Sequence, residues 1–93
     1  MPMKDLIDAL QDWYALQCNG DWEHSFGIEI VNIDNPGWKV KITGATGRQP
    51  VNNSSERSEV DWIAVKATET EFNGYGGSCN LKELITLAVD WLQ

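Results

Sequence analysis

The chain has 93 residues, and 14 Asp and Glu against 7 Lys and Arg give it a net charge of −7 at pH 7. That length allows one hydrophobic core and not two, and a content of 42% hydrophobic and 10% aromatic residues excludes a disordered acidic tail. The excess of negative charge opposes binding to nucleic acid phosphates or to anionic membranes, so we expect neither as a partner.

The first predicted element is a helix over residues 3–17. Its apolar residues recur at the three-and-four spacing of one helical face; they are Met3, Leu6, Ile7, Leu10, Trp13 and Tyr14. Asn19 and Gly20 follow, and both residue types tolerate the left-handed backbone that ends many helices. The chain is therefore expected to turn at Asn19-Gly20.

A strand is predicted next, from Phe26 to Ile33. Phe26, Ile28 and Ile30 recur at every second position, which is the pattern of a strand with one better-buried face. The segment Asp34–Gly37 reads Asp-Asn-Pro-Gly, in which Pro presets a turn torsion and Gly allows a sharp exit. These signals predict a β-hairpin.

The second strand of this hairpin is predicted over Trp38–Thr43, with Trp38, Val40 and Ile42 facing inward. Residues 44–58 then hold many turn formers and little periodicity. We therefore expect a flexible surface loop at about 44–58. A loop of about fifteen residues is unusual in a compact domain and is typical of either function or tolerated variation.

Two further strands are predicted, over Val60–Ala67 and Glu69–Tyr75. In the first of them both alternating sets of side chains are partly apolar, which is typical of a central strand. Because the strands follow one another without intervening helices, an antiparallel meander is expected.

A second helix is predicted to begin near Leu81. Asn80 can cap its first turn, and Glu83 lies at the reciprocal position of a capping box. The preceding segment Gly74–Gly77 is interpreted as a tight turn from the last strand into this helix. It also resembles a phosphate-binding loop, but no Lys-Ser or Lys-Thr opens the helix and the charge of the chain is adverse.

These elements predict an α+β fold for a single domain over residues 1–93. It consists of an N-terminal helix, a four-stranded antiparallel meander and a C-terminal helix. The C-terminal helix carries a broad apolar stripe that extends to Leu92, which suits a helix lying on a sheet. We expect both helices to pack on one face of the sheet.

Acid–base or metal-binding side chains cluster at Asp21, Glu23 and His24. A zinc site needs three or four ligands at recognised spacings, and this chain has one His and two Cys. We therefore expect no metal, no cofactor and no catalytic residue. Two interpretations of the cluster stay open, a structural role in which the carboxylates accept turn amides and contact with a partner.

The tryptophans divide into two groups. Three lie on predicted apolar faces and are expected in the core; they are Trp13, Trp62 and Trp91. Trp22 lies between two carboxylates in a predicted turn and has no periodic reason to point inward, and tryptophan is enriched among binding hot spots. The predicted partner-binding residues are Asp21, Trp22, Glu23, His24, Asp34 and Trp38.

The expected compartment is the cytoplasm. Met1–Asp5 carries no long apolar run with a cleavage site, and no stretch approaches the roughly eighteen apolar residues of a membrane span. Cys18 and Cys79 could pair in principle, but in a reducing cytoplasm they are expected to be free and partly buried thiols.

Several motifs resemble the bacterial immunity protein 53 family of polymorphic toxin systems. The N-terminal motifs that carry the resemblance are Cys-Asn-Gly-Asp-Trp-Glu-His at 18–24, Gly-Ile-Glu-Ile at 27–30 and Asp-Asn-Pro-Gly-Trp at 34–38. The similarity continues through Glu56-Arg57-Ser58, Asp61-Trp62, Phe72-Asn73-Gly74, Gly76-Gly77, Asn80-Leu81 and Trp91. It covers nearly the whole chain. The sequence departs from the family pattern at Thr43–Gly47, where an acidic or leucine-containing stretch is expected.

The resemblance implies a small cytoplasmic, non-enzymatic protein that binds and neutralises a cognate toxin, as a monomer or a weak homo-oligomer. The negative charge would attract a basic toxin such as a nuclease and speed its encounter. Two alternatives remain, an interaction or oligomerisation domain without a toxin partner, and a small enzyme that uses Glu23 and His24. The acidity also suits a protein that only has to stay in solution.

Overall fold

The structure is a computed structural model and describes residues 5–93. Its elements in chain order are α1 (Leu6–Gln17), α2 (Trp22–Ser25), β1 (Ile28–Ile33), β2 (Gly37–Ile42), β3 (Val51–Glu56), β4 (Trp62–Ala67), β5 (Phe72–Gly77) and α3 (Leu81–Leu92). Positions 3 and 4 of the predicted first helix lie outside the described residues. None of the helices within residues 5–93 combines the length and apolar character needed to cross a bilayer.

The strands form one antiparallel sheet in the order β1-β2-β5-β4-β3. The α+β class, the antiparallel pairing and the hairpin at Asp34–Gly37 are confirmed. The four-stranded meander is wrong, because the sheet has five strands and β2 pairs with β5. After β2 the chain crosses to the far edge of the sheet, forms β3, and returns through β4 to β5.

The fifth strand, β3, lies inside the segment that was predicted to be a loop. It reads Val-Asn-Asn-Ser-Ser-Glu, so its side chains show no apolar alternation. Backbone pairing with β4 holds it at the edge of the sheet, and residue types unfavourable for strands are tolerated there because one side faces solvent. The flexibility of residues 44–58 stays a prediction.

The core lies between α3 and the inner face of the sheet. Its largest fully buried side chains are Val40, Ile42, Phe72 and Leu84. The glycines of β5 let α3 approach closely, since a Cβ on Gly74 would lie 3.2 Å from Leu84 Cδ2 and one on Gly76 would lie 3.1 Å from Leu84 Cδ1. The interpretation of Gly74–Gly77 as a turn is therefore wrong, because these residues complete the central strand.

The two helices occupy different positions. α3 contacts β5 and β2, whereas the main helix contact of α1 is with α3. Leu10 of α1 is buried in the core, and Leu6, Ala9 and Trp13 pack against it. Both helices were predicted to pack on the sheet. α3 packs on it directly, whereas α1 packs mainly against α3.

Strand β1 differs from its prediction in length and burial. It begins at Ile28 rather than Phe26, and the face expected to be buried leaves Phe26 47% and Ile30 38% exposed. Periodicity shows correctly that these residues share a face, but β1 is the edge strand and α3 lies over β5 and β2. The inner face of β1 is therefore incompletely covered.

The start of α3 is held by a polar cluster and not by the predicted capping box. Asn80 makes no side-chain cap bond; its Nδ2 donates to Asp61 Oδ1 at 2.9 Å and to Glu83 Oε1 at 3.0 Å. Arg57 donates to the same two carboxylates, at 2.8 Å to Asp61 and 2.6 Å to Glu83. This arrangement ties the turn after β3 to the first turn of α3.

The cysteines are free, and both Cys18 and Cys79 are exposed. The expectation of partly buried thiols is wrong because Cys18 ends α1 at the surface and Cys79 lies in the turn before α3. Cys18 donates its thiol hydrogen to the carbonyl oxygen of Tyr14 at 3.3 Å.

Candidate partner-binding surface

The segment from Asn19 to Glu23 is a closed turn built from its own side chains. Gly20 adopts a positive φ of 97°, which only glycine adopts at low cost. Asn19 Oδ1 accepts hydrogen bonds from the amides of Asp21 and Trp22 at 2.9 and 3.0 Å. This bonding starts the short helix α2, which periodicity cannot detect over four residues.

Glu23 folds back onto the same turn. Its carboxylate oxygens accept hydrogen bonds from the amides of Asn19 at 2.9 Å and Gly20 at 2.8 Å. Hydrogen bonds from backbone amides, its own first and then those of Asn19 and Gly20, lower the pKa of the Glu23 carboxyl below its ordinary value. A carboxylate held ionised in this way is a weak proton acceptor and has a structural role in the turn.

Trp22 is partly buried and points into the protein. Its ring contacts three aromatic side chains, with centroid distances of 5.5 Å to Trp13, 5.7 Å to Tyr14 and 6.1 Å to Phe26. Its Nε1 donates to the carbonyl oxygen of Gly44 at 3.0 Å. The side chain therefore joins α1 and α2 to the connection that leaves β2.

Asp21 and His24 are exposed on the same turn. His24 adjoins a shallow groove of about 440 Å³ whose lining also includes Glu23, Glu29 and Lys41. Within residues 5–93, no three His, Cys, Asp or Glu side chains are placed to hold a metal ion.

Asp34 and Trp38 lie at the other end of the first hairpin. β1 and β2 pair from Ile28 opposite Ile42 to Ile33 opposite Gly37, a length of roughly 17 Å at about 3.4 Å per residue. Asp34 is exposed in the turn, while Trp38 is partly buried and donates from Nε1 to the carbonyl oxygen of Ser78 at 3.0 Å. The six predicted partner-binding residues are thus divided between two ends of one strand pair.

Between these ends, α1 and β1 enclose an apolar groove of about 490 Å³ that is open to solvent, here named the α1–β1 groove. It is lined by Ile7, Leu10, Gln11, Tyr14, Phe26, Gly27, Ile28 and Ile30. Several of these side chains are exposed, including Ile7 at 58% as well as Phe26 and Ile30. The groove arises because α1 packs on α3 and leaves the edge strand uncovered.

Negative charge is concentrated on the same part of the chain. Residues 5–38 contain seven Asp and Glu and no Lys or Arg, whereas residues 39–93 contain seven Asp and Glu and six Lys and Arg. Residues 5–38 form α1, α2, β1, the first hairpin turn and the first two residues of β2. Both walls of the α1–β1 groove therefore come from a segment that contains no Lys or Arg.

The opposite face of the sheet has a different character. Tyr75 is 38% exposed near its centre, and Lys39 lies directly opposite it on β2. Lys41 and Lys66 both pair with Asn73 from the two sides, so the three lysines share this outer face.

Sequence reasoning identified the acidic turn but missed the groove. Hydrophobic periodicity assigned Ile7, Tyr14 and Ile30 to inward faces, and periodicity does not show whether another element covers a face. The absence of Lys and Arg from residues 5–38 is visible in the sequence and could have indicated this side of the molecule.

The sequence matches a known protein family. A sequence model of the family described as Immunity protein 53 matches residues 7–93. No curated protein and no solved structure matches the chain. The match spans α1 to α3 and thus includes the acidic turn, the first hairpin and the α1–β1 groove.

Proposed function

This chain belongs to the immunity protein 53 family, and we propose on that basis that it binds and neutralises a cognate bacterial toxin in the cytoplasm of the producing cell. The toxin would be a product of the same polymorphic toxin system. Neutralisation requires only that the complex covers or distorts the toxin's active site, so no catalytic step on the part of this chain is involved.

The observation that carries the proposal beyond family membership is the coincidence of charge and exposed apolar surface. Residues 5–38 hold the acidic segment without Lys or Arg, and the same range supplies the exposed Ile7, Tyr14, Phe26 and Ile30 that line the α1–β1 groove. Soluble proteins rarely expose apolar groups together unless a partner covers them. An acidic surface with apolar anchors suits a basic protein.

A basic nuclease domain is the toxin class that this charge fits best. Enzymes that act on nucleic acids carry basic surfaces that contact phosphates. An acidic inhibitor is attracted to the same surface, which raises the association rate. Apolar contacts desolvated in the complex would then slow dissociation.

The six residues predicted from the sequence take different parts in this proposal. Asp21, His24 and Asp34 are exposed and would contact the toxin directly. Glu23 and Trp22 would act by fixing the shape of the acidic turn, through the amide bonds of Glu23 and the aromatic contacts of Trp22. Trp38 would support the hairpin end through its bond to Ser78.

The area required is available. A standard interface covers about 800 Å² on each partner, and the accessible surface of the chain is 6080 Å². The toxin would therefore cover roughly an eighth of the surface, which the side formed by α1, α2 and β1 can provide.

Co-expression tests the proposal. The toxin domain encoded beside this gene is expressed from an inducible promoter, with or without the present chain, and growth and co-purification are followed. We expect growth to be restored and the two proteins to co-purify. Cell death with the chain present and folded, and no co-purification, would contradict the proposal. Titration of the purified toxin separates binding from an enzymatic mechanism: inhibition by binding needs at least one chain for each toxin molecule, whereas an enzyme would inactivate the toxin in substoichiometric amounts.

A further inference from the structure

The two edges of the sheet differ in a way that points to a missing neighbour. The edge strand β3 is polar throughout Asn52–Glu56 and is preceded by Pro50, which are common means of preventing edge-to-edge association. The edge strand β1 reads Ile-Glu-Ile-Val-Asn-Ile, with no Lys and no Pro. An apolar and exposed edge of this kind is an aggregation hazard unless a partner covers it.

The backbone of β1 is available on that side. Thr43 N–H donates to the carbonyl oxygen of Gly27 at 3.0 Å, and the pair continues the register of β1 with β2. Because hydrogen-bonded and non-hydrogen-bonded pairs alternate along antiparallel strands, the amides and carbonyls of Ile28, Ile30 and Asn32 point away from β2. Among the described residues, β1 has no other strand neighbour.

The α1–β1 groove lies directly beside this free edge. Ile28 and Ile30 form one wall of the groove, and Ile7 and Tyr14 of α1 form the other. A strand added along β1 would direct every second side chain toward the groove. Apolar side chains at those positions would fill a space of about 490 Å³.

Charge decides which kind of segment fits. The groove is built from residues 5–38, which hold seven acidic and no basic side chains apart from His24. A second copy of this chain docking edge to edge would place two such segments against each other, and like charges oppose that association. Lys or Arg at the two ends of the incoming segment would instead be attracted by the exposed Asp21 and Asp34, which lie toward the two ends of the β1–β2 pair.

We propose that the α1–β1 groove receives an extended apolar segment of the toxin that carries Lys or Arg at its two ends, and that this segment pairs with the free edge of β1 as a sixth strand. The proposal rests on the proposed function and names its contact site. Main-chain hydrogen bonds to β1 supply affinity, and the groove selects the apolar positions.

A matched pair of variants tests the site. Ile30→Lys places a charge in the groove wall, and Val31→Lys places the same charge on the next residue of the same strand but on the opposite face. The two wild-type side chains are 38% and 40% exposed, and because Val31 lies opposite Lys39, the folding of both variants is measured before their binding is compared. With the toxin encoded beside the gene, Ile30→Lys should weaken binding by about tenfold or more, and Val31→Lys should change it by less than about threefold.

Equal effects of the two variants would overturn the groove as the contact site while leaving the proposed function intact, because wild-type protection is measured in the same assay. If Ile30→Lys fails to fold, by far-ultraviolet circular dichroism, Ile7→Lys takes its place, since Ile7 is 58% exposed on the other wall. A wild-type dimer in analytical ultracentrifugation that Ile30→Lys dissociates would assign the groove to self-association and overturn the proposal.

Synthetic peptides test the chemistry of the occupant without the toxin. The probes are a labelled nine-residue Val-Lys peptide, in which Val alternates with Thr over five central residues and two Lys stand at each end, the same peptide with Glu in place of Lys, and the Val-Lys peptide with alternate backbone nitrogens methylated. We expect the Val-Lys peptide to bind at least about tenfold more tightly than either other peptide, and the preference to be lost in Ile30→Lys. Equal binding of all three would contradict strand addition by a basic segment.

Discussion

The indole nitrogen of Trp22 donates a hydrogen bond to the carbonyl oxygen of Gly44 over 3.0 Å, and this bond joins α2 to the connection between β2 and β3. The same ring packs against Trp13, Tyr14 and Phe26. Trp22 was predicted from the sequence as a partner contact, and its position gives it a large share in holding the acidic turn and one end of the α1–β1 groove in place.

We therefore predict that Trp22→Ala destabilises the protein by about 2–3 kcal/mol, because it removes aromatic packing and one hydrogen bond. Trp22→Phe should cost less, about 1 kcal/mol, because it retains most of the packing and loses the bond to Gly44. Urea unfolding followed by tryptophan fluorescence measures both. Unchanged stability of Trp22→Ala would show that the ring contributes little to folding.

Close approach of α3 to β5 gives a second prediction. A Cβ on Gly74 would lie 2.9 Å from Phe72 Cε1 and 3.2 Å from Leu84 Cδ2, so Gly74→Ala should cost about 2 kcal/mol by overpacking. Gly27→Ala is the matched control, since a Cβ there meets nothing within 4 Å, and its effect should stay within about 0.5 kcal/mol. Equal Tm values for Gly74→Ala and Gly27→Ala would contradict the packing described for α3.

Acid should weaken the link between Arg57 and its two carboxylates. Arg57 first and Asn80 second lower the pKa of Asp61, and the same two side chains, with Arg57 again first, lower the pKa of Glu83. A carboxyl whose pKa is lowered on folding stabilises the protein above its unfolded pKa of about 4. That contribution is lost as pH falls through the folded pKa.

We therefore predict that wild-type stability declines as the pH falls below about 4, and that Arg57→Ala shows a smaller decline from a lower starting stability. Chemical unfolding at a series of pH values measures the two slopes. If the free energy of unfolding falls equally steeply with pH in the wild type and in Arg57→Ala, other carboxyl groups are responsible for the acid sensitivity. Lys82→Ala, which removes a neighbouring exposed charge from α3, serves as the control.

Electrostatic attraction of the toxin gives a prediction about association kinetics. The double variant Asp8→Asn/Asp21→Asn removes two charges from α1 and the acidic turn, and it should slow association about threefold or more at low ionic strength. The difference should shrink in salt because of screening. Glu69→Gln/Glu71→Gln removes two exposed charges from the β4–β5 turn and should have a smaller effect. Stopped-flow fluorescence measures the association rate constants of the two double variants with the toxin. An equal decrease in both rate constants would contradict a localised acidic surface.

The limits of sequence reasoning follow from particular residues. Asp-Asn-Pro-Gly predicted the hairpin at Asp34–Gly37 because its signal is local. The strand order was missed because β2 pairs with β5, which follows it in the chain only after β3 and β4, and no local pattern records such a pairing. β3 was missed because its sequence, Val-Asn-Asn-Ser-Ser-Glu, shows no apolar alternation.

The same contrast between local signals and long-range packing applies to the candidate surface. Asp21 and Glu23 could be assigned to a turn from Asn19-Gly20 alone, and the amide bonds to Glu23 confirm the structural interpretation of that carboxylate. The direction of Trp22 depends on Trp13, which is nine residues away, and on Gly44 from another part of the fold. The exposure of Ile30 depends on where α1 packs, and local periodicity carries no information about that.

Hydrogen exchange of the complex with the toxin encoded beside this gene tests most directly whether neutralisation takes place through the acidic side of the molecule. Backbone amides are compared in the free and the bound chain by mass spectrometry. We predict that binding slows exchange in β1, in the turn at residues 19–24 and in α1, with β3 and the β4–β5 turn unchanged. Slowed exchange confined to β3, β4 and the lysine-bearing outer face, with α1 and β1 unchanged, would contradict the account.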